Sequence, residues 1–172
     1  MAITKIQSES LNLADNYDFT GTVTGAGESN VPYFNVKPSS NSLYVDNVTH
    51  LVTFDTVVSD TASGFDNTAS NYSYTIPSGQ GGQWLINFGF RVNPTNADRI
   101  SLNLLLNSST AISQLESDGG GGATYLGLQG SRIHYLSAGD VLTCTFFQNS
   151  TVNSVLRTDG TFLCGFKLTA TT

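Results

Sequence analysis

Charge is scarce in this chain. Only 12% of its 172 residues are Asp, Glu, Lys or Arg, against a usual share of roughly 25%. Cations are the rarer sign, with seven Lys and Arg against thirteen Asp and Glu and a net charge of −6. They form no cluster anywhere in the sequence. A basic patch is what holds a protein on nucleic acid or on an anionic membrane, so both partner classes are set aside. No apolar run approaches the roughly 18 residues of a membrane-spanning helix. Residues Met1–Ser10 lack an apolar signal core, which leads us to expect synthesis and folding in a cytoplasm.

Residues that do chemistry are also few. There are two histidines, His50 and His134, and two cysteines, Cys144 and Cys164. None of the four is near another in sequence with metal-ligand spacing. Both cysteines sit in alternating apolar runs, which predicts buried free thiols rather than a disulfide. Serines and aspartates are plentiful, yet no Gly-x-Ser-x-Gly nucleophile elbow occurs. Gly79–Gly82 and Gly119–Gly122 lack the Lys-Ser/Thr partner and following helix of a phosphate loop. The loop acids Asp60, Asp66, Asp98, Glu116 and Asp118 are the only candidates for a calcium ion, and no Asp-x-Asp-x-Asp-Gly loop organises them. We therefore expect no catalytic residues, no cofactor and no resident metal.

What the chain has in quantity is Ser, Thr, Asn and 17 Gly, all poor in helix interiors. Apolar residues instead alternate with polar ones, the period of a strand. The strongest case is Gly82–Val92, where Trp84, Ile86, Phe88, Phe90 and Val92 fall on alternate positions. It holds the only tryptophan and reads as the central core strand. Further strands are predicted at Tyr33–Val36, Ser42–Asp46, Thr49–Ser59, Tyr72–Ile76, Ile100–Leu106, Ala111–Leu115, Thr124–Leu136, Val141–Gln148 and Thr161–Thr169. Thr124–Leu136 carries a possible break at Gln129-Gly130, and 149–157 reads as an exposed loop or short edge strand. In the last strand Phe162, Cys164, Phe166 and Leu168 alternate, and the first three are assigned to the core, together with Phe54, Phe65, Tyr74, Trp84, Ile86, Phe88, Phe90 and Cys144. No helix is predicted. Short strands at this spacing, separated by turn signals, imply an all-β sandwich or jelly roll.

Residues 1–27 stand apart from the rest. Leu11, Leu13, Tyr17, Phe19 and Val23 all occupy odd positions, so an extended arm would carry one apolar face. Burying those five side chains offers about 1.5–3 kcal/mol each. Ordering two dozen residues costs about 1–2 kcal/mol apiece in backbone entropy. Such an arm is either disordered or paired with another chain, and its alternation favours a partner. Residues 28–32 form a linker and 33–172 the head. In the head, Tyr33, Phe34, Tyr135 and Phe147 are aromatics beyond what one sandwich core holds, which makes them candidates for a subunit interface.

These residues resemble a known pattern. Phe54, Asp60 and Phe65 match, in spacing, the signature of the globular head of complement component q, a relative of the tumour necrosis factor fold. Tyr74 stands where that signature places its next Phe, two residues late. Gly82, Trp84, Ile86 and Phe88 follow its Gly-x-Tyr-x-Phe-x-aromatic run, with Trp84 and Ile86 as substitutions. Leu136-Ser137-Ala138-Gly139-Asp140-x-Leu142 resembles its Leu-x-x-Gly-Asp-x-Val turn, and Gly165-Phe166-Lys167-Leu168 its closing strand. The resemblance covers roughly 33–170. It implies a jelly-roll sandwich of eight to ten antiparallel strands that assembles as a homotrimer. The family's collagen stalk has no counterpart here, and the arm stands in its place.

The stretch Lys5–Gly25 is in turn similar to the start of structural proteins of tailed bacteriophages, cyanophages in particular. Together the two resemblances imply a virion structural protein: a homotrimeric capsid decoration, or cement, protein on the outer surface of the particle. Its arm would contact the major capsid protein or another virion protein. The alternative they leave open is a tail-fibre or spike tip that binds a host receptor through the loops 60–71, 117–123 and 149–160.

Overall fold

The computed structural model describes residues 32–93, 99–118, 125–149 and 153–168. The arm residues Leu11, Leu13, Tyr17, Phe19 and Val23, and Asp98, lie outside them. The described residues form thirteen strands and no helix: β1 Tyr33–Lys37, β2 Ser42–Tyr44, β3 His50–Leu51, β4 Thr56–Asp60, β5 Phe65–Asp66, β6 Ser73–Thr75, β7 Gly82–Asn93, β8 Ile100–Leu106, β9 Thr110–Ser117, β10 Leu126–Leu136, β11 Val141–Gln148, β12 Ser154–Leu156 and β13 Phe162–Lys167. They make two antiparallel sheets. The first is ordered β2-β12-β7-β13-β1-β4, with β10 along the other side of β7. The second is ordered β5-β6-β11-β8-β9, with β3 beside β11. The all-β sandwich expected from the alternating pattern is what the chain forms.

The first sheet is organised on β7. Its twelve residues pair with β10 from Leu126↔Val92 to Leu136↔Gly82, and with β13 from Phe162↔Gly89 to Lys167↔Trp84. Trp84, Ile86, Phe88, Phe90 and Val92 are all buried. They meet Ile100, Leu102 and Leu104 of β8 and Leu142, Cys144 and Phe146 of β11 in one continuous core. Aromatic rings organise its two ends. Phe34 stacks on Tyr74 with centroids 3.8 Å apart, Tyr74 meets Trp84 edge-on, and Phe90 meets Phe146 the same way. Each such contact contributes about 0.5–1.5 kcal/mol beyond area burial.

The two sheets close tightly along the β9/β10 side. A β-carbon at Gly130 would stand 2.7 Å from Leu115 Cδ2. Glycine there lets Leu115 of the second sheet pack under β10, and β10 runs through 129–130 without a break in register.

Several sequence expectations differ from the structure. Thr49–Ser59 is not one strand: β3 joins the second sheet and β4 the first. Between them Val52 and Phe54 are buried as the chain crosses the sandwich. The alternation continues unbroken through the crossing, so the sequence carries no mark of it. Residues 154–156 are not a loop or an edge, since β12 lies between β2 and β7 with Ser154 and Leu156 buried. Phe65 is half-buried at the rim, paired with Tyr74 and packed against the core from outside.

The last strand is inverted. Leu163 and Lys167 face the core, whereas Phe162 and Cys164 are half-buried and Phe166 and Leu168 are exposed on the outer face. The cause is Phe34, whose ring fills the core beside β13. A β-carbon at 165 would stand 2.8 Å from Phe34 Cε1, so the glycine position must face inward and its large neighbours outward. Lys167 sits inside opposite Trp84. Its Nζ donates to Gln80 Oε1 at 3.2 Å, and Trp84 Nε1 donates to the Gln80 carbonyl at 3.2 Å.

Candidate functional site

The outer faces of the two sheets differ in kind. On the second sheet the register sets Glu116, Ser101 and Phe147 side by side, then Gln114, Asn103 and Thr145. That face is polar apart from the half-buried Phe147, although Ser101 within it is buried. On the first sheet the row of partners Tyr33, Phe166, Leu85 and Ile133 crosses four adjacent strands, β1, β13, β7 and β10. Tyr135 and Leu168 flank it, each joined through Gln83. Tyr33 is 47% exposed, Phe166 40%, Ile133 58% and Tyr135 53%. A contiguous row of large apolar side chains on an outer face marks a surface that meets another surface.

The next row along the strands is polar. Asn35, Cys164, Asn87 and Ser131 are successive partners, and Ser131 Oγ donates to Asn87 Oδ1 at 2.6 Å. Beyond it the Phe162 ring lies over Gly89, where a β-carbon would stand 2.9 Å from Phe162 Cε1. Two hollows adjoin in this row and share Asn87 and Cys164. One, of about 490 Å³, is walled by Tyr33, Phe34 and Phe166. The other, of about 570 Å³, is lined by Gln129, Ser131 and Phe162. The face is therefore concave, with an aromatic rim and a polar floor.

Of the four candidate interface aromatics, Tyr33 and Tyr135 stand on this face. Phe34 does not: it is 1% exposed and belongs to the core. Phe147 does not either: it is half-buried on the opposite sheet under the Arg99 guanidinium, 5.7 Å from its ring centroid. Composition counts spare aromatics but cannot assign a face. The missed members, Phe166, Leu85 and Ile133, follow only once pairing register is known.

The remaining candidates for chemistry do not converge. His50 is in the second sheet, edge-on to Tyr44, with its Nε2 3.1 Å from the Val45 amide. His134 is in the first sheet opposite Trp84. Cys144 is fully buried, and burial pushes its thiol up. Cys164 is only half-buried, which corrects its assignment to the core. Burial raises its thiol too, partly offset by hydrogen bonding to Asn87. Asp60 accepts the Ala62 and Phe65 amides at 3.2 and 2.8 Å. Asp66 accepts the Thr68 hydroxyl and amide at 2.6 and 2.9 Å and the Asn71 side-chain amide, which together hold its carboxyl below the ordinary 3.8. These acids brace their own loop. Among the described residues no group of three or more His, Cys, Asp or Glu is placed to hold a metal ion.

Comparison with known proteins yields fold likeness only. No protein-family model matches the chain, and no curated protein matches it. Solved structures do. Murine APRIL is 13% identical, with 81% of this chain and 100% of that chain covered at a TM-score of 0.62. Eiger TNF from S. frugiperda is 14% identical, with 83% and 94% covered at 0.59. The globular domain of zebrafish complement 1qA is 17% identical, with 81% and 99% covered at 0.58. The head thus has the jelly roll of the tumour necrosis factor and complement-q proteins.

Proposed function

We propose that this chain is a homotrimeric structural protein of a virus particle, not an enzyme. Three heads pack through the outer face of the first sheet, and residues 1–27 attach each head to a shell protein. The observation that carries the assembly is the exposed row Tyr33-Phe166-Leu85-Ile133, set against a polar outer face on the other sheet. A second copy is the occupant that fits, because the tumour necrosis factor-like jelly roll is a trimer-forming fold. Closed threefold symmetry then covers the apolar row on every subunit and leaves no open end.

The virion reading is supported by the likeness of Lys5–Gly25 to phage structural proteins and by the single apolar stripe of the arm. Three arms per trimer raise attachment by effective concentration, so each contact need only be weak. The head would project from the outer surface of the particle. Light scattering on the full chain tests the assembly: a mass of three copies is expected, and a stable monomer at micromolar concentration overturns it. A labelled copy located in electron micrographs tests the placement: label on the shell supports decoration, and label on the tail supports the receptor-binding tip instead.

A further inference from the structure

We propose that the corner of the first sheet formed by Arg91, Arg157 and Tyr125 binds a carboxylate-bearing sugar. Three separate stretches bring these residues together: the end of β7, the turn after β12 and the entry to β10. The Arg157 amide donates to the Arg91 carbonyl at 2.7 Å and fixes the first two. The Arg91 and Arg157 guanidiniums lie 4.4 and 5.6 Å from the centroid of the Tyr125 ring. Both contact one acid, Asp159: Arg91 Nη1 pairs with its Oδ2, and Arg157 Nε lies 3.4 Å from its Oδ1.

The charge does not balance. Two guanidiniums and one carboxylate leave a local charge of +1, and among the described residues no second acid contacts either arginine. This is half of the chain's four arginines gathered at one corner of a protein of net charge −6. Each guanidinium carries five N–H donors in a fixed fork, and Asp159 engages only part of them. The place is already shaped for a planar carboxylate, the group that an arginine fork matches best.

Two further features favour a sugar as the carrier. Tyr125 is 43% exposed, and an aromatic side chain that reaches solvent packs well against the C–H face of a sugar. Beside it a hollow of about 280 Å³ is lined by Arg91, Gly127, Gln129, Gly160 and Phe162. The two glycines leave the Arg91 stem open, and the Gln129 amide offers hydroxyl contacts. Arg91 lies six residues from Leu85 along β7, about 20 Å at the strand rise. The corner and the apolar row are therefore at opposite ends of the face; Gln129 and Phe162 line both the hollow beside Arg91 and the hollow of the polar row, and the proposed site takes no residue from the apolar row.

The test is calorimetric titration of the full-length protein with trigalacturonate, with neutral galactotriose and with sulfate. Trigalacturonate alone should bind. Arg157→Gln should weaken it at least tenfold, and Tyr125→Ser, which keeps every charge, should weaken it as well. Asp159→Asn should tighten it severalfold, because the internal competitor for the guanidiniums is gone. A purely structural Asp159 would give the opposite sign. Equal binding of the neutral sugar, equal binding of sulfate, no effect of Tyr125→Ser, or weaker binding in Asp159→Asn would each overturn the proposal. The last two keep the test decisive if Arg157→Gln fails to fold.

Discussion

Leu163 of β13 stands directly opposite Phe88 of β7, both facing the core. This one pairing decides the fate of the whole strand. With Leu163 inside, Phe162, Cys164 and Phe166 must point outward, since neighbours on a strand alternate. The outward set then meets Leu85 and Ile133 and becomes the apolar row. Burial of Leu163 and exposure of Phe166 follow from the same register.

Neighbouring substitutions on β13 should therefore act on different properties. Leu163→Ala removes a fully buried side chain from beside Phe88 and should cost about 2–5 kcal/mol of subunit stability. Phe166→Ala should change subunit stability by less than about 1 kcal/mol and instead weaken self-association. Chemical denaturation of each variant, paired with sedimentation across a dilution series, separates the effects. Equal loss of stability in both would mean that Phe166 faces the core.

The two thiols report on the same face. Cys144 is buried and its thiolate disfavoured, so it should resist alkylation until the head unfolds. Cys164 is half-buried in the polar row of the candidate interface. It should be protected in the assembled protein and become reactive when Ile133→Lys separates the subunits. Mass spectrometry of the alkylated protein should count no label in the assembly, one in the separated variant and two after unfolding. Labelling of Cys164 at an unchanged rate in both states would place the interface elsewhere.

How much of this was legible in the sequence depends on how unevenly each strand's two faces are loaded. β7 was legible because Trp84, Ile86, Phe88 and Phe90 alternate with Leu85, Asn87, Gly89 and Arg91, a contrast that permits one orientation. β13 was not, because the larger side chains of Phe162–Lys167 are on the outer face. Alternation identifies a face to be covered but does not say whether a core or a second subunit covers it. Phe34 adds to the difficulty, since its demand for Gly165 is a contact between strands far apart in sequence. β3 and β4 merged for a related reason: a chain that crosses between sheets keeps its period of two. Arg91, Arg157 and Tyr125 carry no local motif at all, and only the folded corner unites them.

The edge where the sheets close should be intolerant of bulk. At Gly130 a β-carbon would meet Leu115 Cδ2 at 2.7 Å, so Gly130→Val must push β10 off β9. Overpacking of this kind costs about 1–3 kcal/mol. A second change, Leu115→Ala, should recover part of the loss by making room, so the double variant should be more stable than the sum of the two singles predicts. Strict additivity in denaturant melts would show that the two residues do not touch.

The loop after β5 should loosen in acid. Hydrogen bonds from Thr68 and Asn71 hold the Asp66 carboxyl below its ordinary 3.8. A carboxyl lowered by folding stabilises the fold above its unfolded value, and that contribution is lost as pH falls through the lowered folded one. The window thus lies below pH 3.8, with no effect of Asp66 expected near neutrality. Amide exchange in 66–73 should speed up across that window, and Asp66→Asn should remove the pH dependence. An unchanged acid profile in Asp66→Asn would assign the loosening to another group.

Removal of residues 1–27 tests the division of labour between arm and head. The β1 strand begins at Tyr33, and the contacts that anchor it run to β13 and β4 within the head. The truncated chain should therefore melt at the same temperature and keep the same mass in solution as the full chain. Under the proposed function it should fail to join particles, because the stripe Leu11, Leu13, Tyr17, Phe19 and Val23 is gone. Changing only Leu13, Tyr17 and Phe19 to Ser should have the same effect without shortening the chain. Particles that take up the truncated head at the normal level would show that the arm is not the anchor and would move attachment to the head.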